Sequence, residues 1–208
     1  MGNCPGRSFC HFAAAFPTDM NALTEFLWAS IGLLLTIIGT LIEAAISNPP
    51  WQWGDRGFQI HALGVSYQIG AVLFVGCLGG KNAATLSQIA YVILGLTPWF
   101  PIFSEGGGLG YLRQPTFGYI LGFIPGAWLC GYLAFQKPTR LEFLAFSCTS
   151  GLAIIHLFGL GYLVAMYAIS REWLQAAATY SWHPLPGQFV IVCAVAVVAY
   201  MLRRVLCY

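Results

Sequence analysis

Six long stretches of the chain are apolar almost throughout, without the alternation of a half-buried strand or the polar stripe of a water-facing helix. They run from about Thr24 to Ser47, Ala62 to Gly80, Asn82 to Phe100, Thr116 to Phe135, Leu141 to Ile169 and Gly187 to Leu206. Each comes close to or exceeds the roughly 20 residues that an α-helix needs to cross a bilayer. Barrel strands would alternate apolar and polar residues, and these runs do not. The pattern predicts an all-α polytopic membrane protein with six transmembrane helices. The second and third are separated only by Gly80-Lys81, so a tight turn is expected there. Residues 1–23 are weakly patterned and are expected to form an N-terminal cytoplasmic extension to a membrane domain over 24–208, with Met20 rather than Met1 as the native start.

Composition agrees with the pattern. Of 208 residues, 58% are hydrophobic and 8% are charged, whereas a soluble domain carries about 25% charged residues. Lys and Arg set the direction of crossing. One side of a six-span topology holds Arg7, Lys81, Lys137, Arg140, Arg203 and Arg204, and the other holds Arg56, Arg113 and Arg171. The asymmetry predicts a multi-pass plasma-membrane protein with both termini in the cytoplasm. A net charge of +2, with no basic cluster larger than Arg203-Arg204, excludes a nucleic-acid partner.

Several chemistries are missing. Gly79-Gly80-Lys81 is followed by Asn82 where a phosphate-binding loop needs Ser or Thr, and the run Glu105 to Gly110 does not fit a dinucleotide fingerprint. No carboxylate pair lies deep in a span, and no nucleophile, base and orienting group recur at readable spacing. An enzyme is not expected, nor a cofactor. The seven cysteines form no C-x-x-C pair, so they are taken as small hydrophobes rather than metal ligands. Any transport against a gradient must draw its energy from a partner.

Polar residues instead gather at the outer ends of the spans. Gln68 lies near the start of the second. Glu105, Gly107 and Gly108 belong to the glycine run after the third, whose backbone N–H groups could approach a ligand closely. Arg113 precedes the fourth span, Tyr119 lies in its first turn, and Gln188 opens the sixth. Polar groups at such depth are costly unless paired or facing a cavity. Trp51, Trp53, Trp99, Trp173 and Trp182 fall on the same side, as an interfacial belt or as walls of an apolar pocket. His156, mid-span, is expected to bridge helices by hydrogen bonding. Gly32, Thr36, Thr40 and Ala44 recur every four residues, a stripe suited either to internal packing or to docking another protein.

At these motifs the chain resembles the BioY family, the biotin-specific substrate-binding subunits of energy-coupling-factor transporters. The family's Gly- and Pro-containing run ends in G-P-T-x-G-Y-x-x-G-F. Here Gln114-Pro115-Thr116-Phe117-Gly118-Tyr119-Ile120-Leu121-Gly122-Phe123 matches it, with Gln114 for the first Gly. Val65-Ser66-Tyr67-Gln68 resembles the family's P-I-T-L-Q, and Tyr91 to Leu96 its Y-L-x-L-G. The resemblance covers about residues 62–208. It implies six helices, an outward-facing pocket for biotin, and partnership with a transmembrane coupling subunit and ABC-type ATPases. One position departs: the family's P-G-D-x-x-K reads Pro186-Gly187-Gln188 with Ile191 at the Lys position. Gln188 can still bond a ureido group, and Arg113 is the nearest cation for a carboxylate. The alternatives are the same fold with another vitamin or precursor, or a non-transporting membrane scaffold.

Overall fold

The structure is a computed structural model that describes residues 22–47, 60–104, 106–168 and 170–205. Helix α1 spans Ala22–Leu41. Strands β1 (Glu43–Ser47) and β2 (Ile60–Ser66) form an antiparallel pair, with Ala45 opposite Ala62 and Ser47 opposite Ile60. Helix α2 (Gln68–Leu96) is followed by a 3-10 turn (Leu109–Arg113), α3 (Phe117–Ala134) and α4 (Leu141–Tyr167). A short helix α5 (Arg171–Ala177) continues through a π turn (Ala178–Trp182) to α6 (Leu185–Val205). Among the described residues, five helical segments are long and apolar enough to cross a membrane. Large apolar side chains such as Phe26, Leu34, Leu157 and Met201 point outward, as the hydrocarbon requires.

Two departures from the expected elements stand out. The first apolar run does not stay helical to Ser47, and the second does not become helical at Ala62. Their facing ends pair as β1 and β2 instead, so the molecule is mostly helical rather than all-α. The strands satisfy one another's backbone groups, which a helix end would leave unpaired. Hydropathy alone does not separate an apolar strand from an apolar helix end. The weakly patterned N-terminal extension lies outside the described residues, apart from Ala22 and Leu23, which are already helical.

Helix α2 folds back on itself. Gly80 has φ 75° and ψ 179°, a region that is essentially glycine-only. Gln68 Nε2 donates to the Tyr91 hydroxyl at 2.9 Å across 23 residues, which an unbroken helix would hold about 35 Å apart. Gly32 of α1 meets both Val75 and Ser87, one from each limb. The tight turn expected at Gly80-Lys81 is therefore present.

The small-residue stripe of α1, continued by Ala44 of β1, faces inward. Gly32, Thr36, Thr40 and Ala44 are all buried. Thr36 Oγ1 donates to the Gly32 carbonyl and accepts from Gln88 Nε2 at 3.1 Å. Thr40 Oγ1 lies 3.1 Å from the Tyr91 hydroxyl. This settles the stripe as internal packing. Thr36→Val keeps the shape and removes one acceptor, so it is expected to lower stability by about 1 kcal/mol, read as a lower thermal midpoint in detergent with the fold retained.

Candidate functional site

A cavity of about 190 Å³ opens where β2, the start of α2, the start of α3 and the start of α6 converge. Gln68, Tyr111, Thr116, Tyr119, Tyr180 and Gln188 put polar groups on its walls, and Val65, Ile69, Ile120 and Phe123 supply its apolar part. Polar residues drawn from several elements that meet at one end of a bundle, set in an otherwise apolar wall, are the usual composition of a small-molecule site.

One wall is a continuous hydrogen-bonded chain. The Tyr119 hydroxyl lies 2.6 Å from Ser181 Oγ, Ser181 Oγ lies 3.0 Å from His156 Nδ1, and His156 Nε2 lies 2.6 Å from Gln188 Oε1. An amide oxygen only accepts, so His156 Nε2 carries the proton. Nδ1 of the neutral ring then accepts from Ser181, whose oxygen accepts from Tyr119. This order leaves the Gln188 amide N–H₂ as the donor free for the cavity. Turning the amide over reverses every donor in the chain and presents the Gln188 carbonyl instead. Gln188, His156 and Ser181 are buried, where such bonds are strong and a missing partner is costly. The ring of Tyr119 occupies space that a Cβ on Gly159 would fill, and it meets His156 edge-on at 5.6 Å.

Behind Gln68, which lines the cavity, stands the fully buried Tyr91. Its hydroxyl accepts from Gln68 and lies 3.1 Å from the Ile102 carbonyl, to which it donates. It thereby ties the start of α2 to the segment after its second limb. An aromatic series continues from Tyr91 through Phe103 and Tyr111 to Phe117 and Tyr162, with ring centroids 4.6–6.4 Å apart. Tyr111 bonds Thr116 at 3.0 Å, and the Tyr162 hydroxyl donates to the Leu112 carbonyl. These contacts seat the loop between α2 and α3 on the bundle.

The residues singled out from the sequence fall into separate groups. Gln68, Tyr119 and Gln188 meet at the cavity. Gly107 and Gly108 lie in a loop turned back on α2: Gly108 N–H donates to the Gly95 carbonyl at 2.8 Å, and Gly106 N–H to that of Phe103. Gly106 and Gly108 have φ of 121° and 83°, so their conformation calls for glycine. Arg113 is exposed at the end of the 3-10 turn, outside the cavity lining. Glu105 lies outside the described residues, as do Trp51 and Trp53. Ile191 is 3% exposed and packs with Ala44 and Val65 beneath the strands, so the position offers no charge. Tyr91, His156 and Ser181 were not expected as site residues, because their partners lie 23 to 62 residues away along the chain.

A second cavity, about 460 Å³, lies between α4, α5 and α6 behind the same His156 and Ser181. Its walls are mainly Leu152, Leu160, Trp173, Leu174, Trp182 and Phe189. Trp173 and Trp182 thus line an apolar space, while Trp99 is 86% exposed. The smaller cavity holds the convergent polar groups.

The sequence profile of the BioY family matches residues 17–207. The chain is 34% identical over 149 residues to a probable biotin transporter BioY of Lysinibacillus sphaericus, covering 71% of this chain and 66% of the relative. It is 30% identical over 138 residues to the biotin transporter BioY of Thermotoga maritima, covering 66% and 72%. It is 28% identical over 181 residues to an uncharacterized 21.2 kDa protein of Cyanophora paradoxa, covering 86% and 95%. In three dimensions it matches the crystal structure of the S-component for biotin from an ECF-type ABC transporter with a TM-score of 0.64 at 19% identity, over 91% of this chain and 95% of that one.

Proposed function

The chain belongs to the BioY family, and from that premise we propose that it is the substrate-binding membrane subunit of a biotin uptake system. The observation that carries the reading is the buried chain from Tyr119 to Gln188, which holds an amide in place at the cavity of a family member. A ureido group both donates and accepts, and Gln188 can answer either role according to the order of that chain. Gln68, also in the lining, offers its amide oxygen while its nitrogen bonds Tyr91. In this reading Glu105, Gly107 and Gly108 belong to the ligand-contacting set, and Tyr119 adds its ring and hydroxyl to the cavity.

In this proposal the two limbs of α2 each count as a crossing, which gives six. The turn at Gly80 supports that count. Lys81, Lys137, Arg140, Arg203 and Arg204 mark the cytoplasmic side, with both termini there and the cavity facing outward. Energy comes from a transmembrane coupling subunit and ABC-type ATPases. The cavity, at about 190 Å³, is smaller than the roughly 300 Å³ of common ligand sites.

Equilibrium binding of labelled biotin to the purified protein in detergent tests the reading. Saturable binding at one biotin per chain, not displaced by other vitamins, is expected. A folded protein that ignores biotin and binds another vitamin would shift the function to that ligand, a second reading favoured by Gln188 and Ile191. Arg113 is the proposed partner of the biotin carboxylate at the rim. As an exposed pair it contributes about 1 kcal/mol at most. Arg113→Ala should therefore weaken biotin up to about fivefold and leave biotin methyl ester unchanged. Equal losses for acid and ester would remove Arg113 from the site.

A further inference from the structure

Three cysteines that share no sequence motif meet at the end of the bundle opposite the polar cavity. Cys77 comes from the first limb of α2, Cys130 from α3 and Cys148 from α4, and all three are buried. Cys77 Sγ lies 3.8 Å from Cys130 Sγ and 3.4 Å from Cys148 Sγ, and the three sulfurs lie within 4.8 Å of one another. A zinc–sulfur bond of about 2.3 Å spaces three thiolates about 3.8 to 4.0 Å apart, for tetrahedral or planar geometry. The trio is thus within an ångström of that arrangement.

The surroundings also suit it. Arg203 of α6 donates from Nε to the Cys77 carbonyl at 2.7 Å and from Nη1 to the Ala134 carbonyl at 2.8 Å, which puts a positive charge beside the trio. A divalent ion with three thiolates carries a net charge of −1, and with the guanidinium the group is neutral. Neutrality matters because an uncompensated charge in an apolar interior is expensive. A monovalent ion would leave the same group negative. The Leu73 carbonyl, now 3.6 Å from Cys130 Sγ as its acceptor, is released when that thiol loses its proton and offers an oxygen at the edge of the trio.

We propose that Cys77, Cys130 and Cys148 form a three-thiolate site for a divalent thiophilic ion of the zinc class. The ion would pin α2, α3 and α4 together behind the Gly80 turn. On binding, each thiol gives up its proton, three protons pass to solvent, the ion sheds its water, and three metal–sulfur bonds form with no change of oxidation state. The site is separate from the biotin cavity and does not depend on it.

The test uses the full chain with Cys4, Cys10, Cys193 and Cys207 changed to serine, so that only the trio remains. The protein is purified in detergent with a phosphine reductant and titrated with Cd(II). The expected result is cadmium–thiolate charge-transfer absorption that saturates at one ion per chain, is displaced by Zn(II) and is accompanied by a higher melting temperature. Cys77→Ala, Cys130→Ala and Cys148→Ala should each abolish the saturable band. Absence of the band in the trio-only chain, shown folded by cooperative melting, would overturn the proposal. So would a saturable band that survives in any of the three alanine variants. The trio-only titration decides the matter even if an alanine variant fails to fold.

Discussion

Gln188→Leu is expected to weaken biotin binding by about 10- to 100-fold. Leucine fills similar space but cannot accept from His156 or offer a polar group to the cavity. Two losses follow: the ligand forfeits its amide partner, and His156 Nε2–H, whose nitrogen lies 2.6 Å from Oε1, loses its acceptor. A hydrogen bond withheld from a buried partner costs about 1–3 kcal/mol, and 1.4 kcal/mol is tenfold in affinity. His156→Leu separates the two losses. It keeps Gln188 but frees the amide to rotate, so a smaller loss, about fivefold, is expected, and Gln188 then acts as a contact that His156 positions. Gln188→Asp restores the residue found at this place in the resembling family motif and should retain binding, since the new carboxylate can accept from His156 Nε2–H. Equilibrium binding of labelled biotin to the three purified variants measures all of this. Unchanged affinity in Gln188→Leu would move the ligand out of this cavity.

What the sequence makes legible follows the physics that acts locally. The apolar runs announce the long helices because a bilayer crossing needs continuous apolar length. The pair Gly80-Lys81 announces the turn because a reversal without a loop needs glycine's freedom at Gly80. Gln68, Tyr119 and Gln188 were legible as polar residues inside runs that tolerate few of them. The strands were hidden because Glu43–Ser47 and Ile60–Ser66 continue the apolar runs of the helices they adjoin, with no turn residue to mark the change. The glycine run was legible as unusual backbone, yet Gly106 directs its N–H to the Phe103 carbonyl in the loop and Gly108 to the Gly95 carbonyl of α2. His156 was expected to bridge helices, and it does, but its partners Ser181 and Gln188 lie 25 and 32 residues further on. The cysteine trio was hidden for the same reason, with Cys130 and Cys148 lying 53 and 71 residues beyond Cys77. Such groupings arise from tertiary packing, and no spacing rule encodes them.

Gly131→Leu is expected to have the largest effect on stability, about 3 kcal/mol or more. Gly131 lies on α3 where the Gly80 turn crosses it. A Cβ there would stand 2.6–2.7 Å from Lys81 N, Gly80 C and Lys81 Cα, all backbone atoms of the turn. Side chains can swing aside, but these atoms are fixed by the conformation that reverses α2. Overfilling a packed interior costs about 1–3 kcal/mol when neighbours can shift, and here they cannot without opening the turn. Gly131→Ala, with one methyl group, should fall inside that range. Gly161 supplies the control: it is a helical glycine of α4 with nothing within 4 Å of a new Cβ, so Gly161→Ala should leave the midpoint unchanged or raise it. Thermal unfolding of the purified variants in detergent reads the series. The effect should reach the biotin site as well, because the turn sets how the limbs of α2 lie together and so brings Gln68 to Tyr91. A Gly131→Leu protein with an unaltered midpoint would mean that α3 does not pass against the turn at this distance, and the case for counting the limbs as two crossings would lose its packing support.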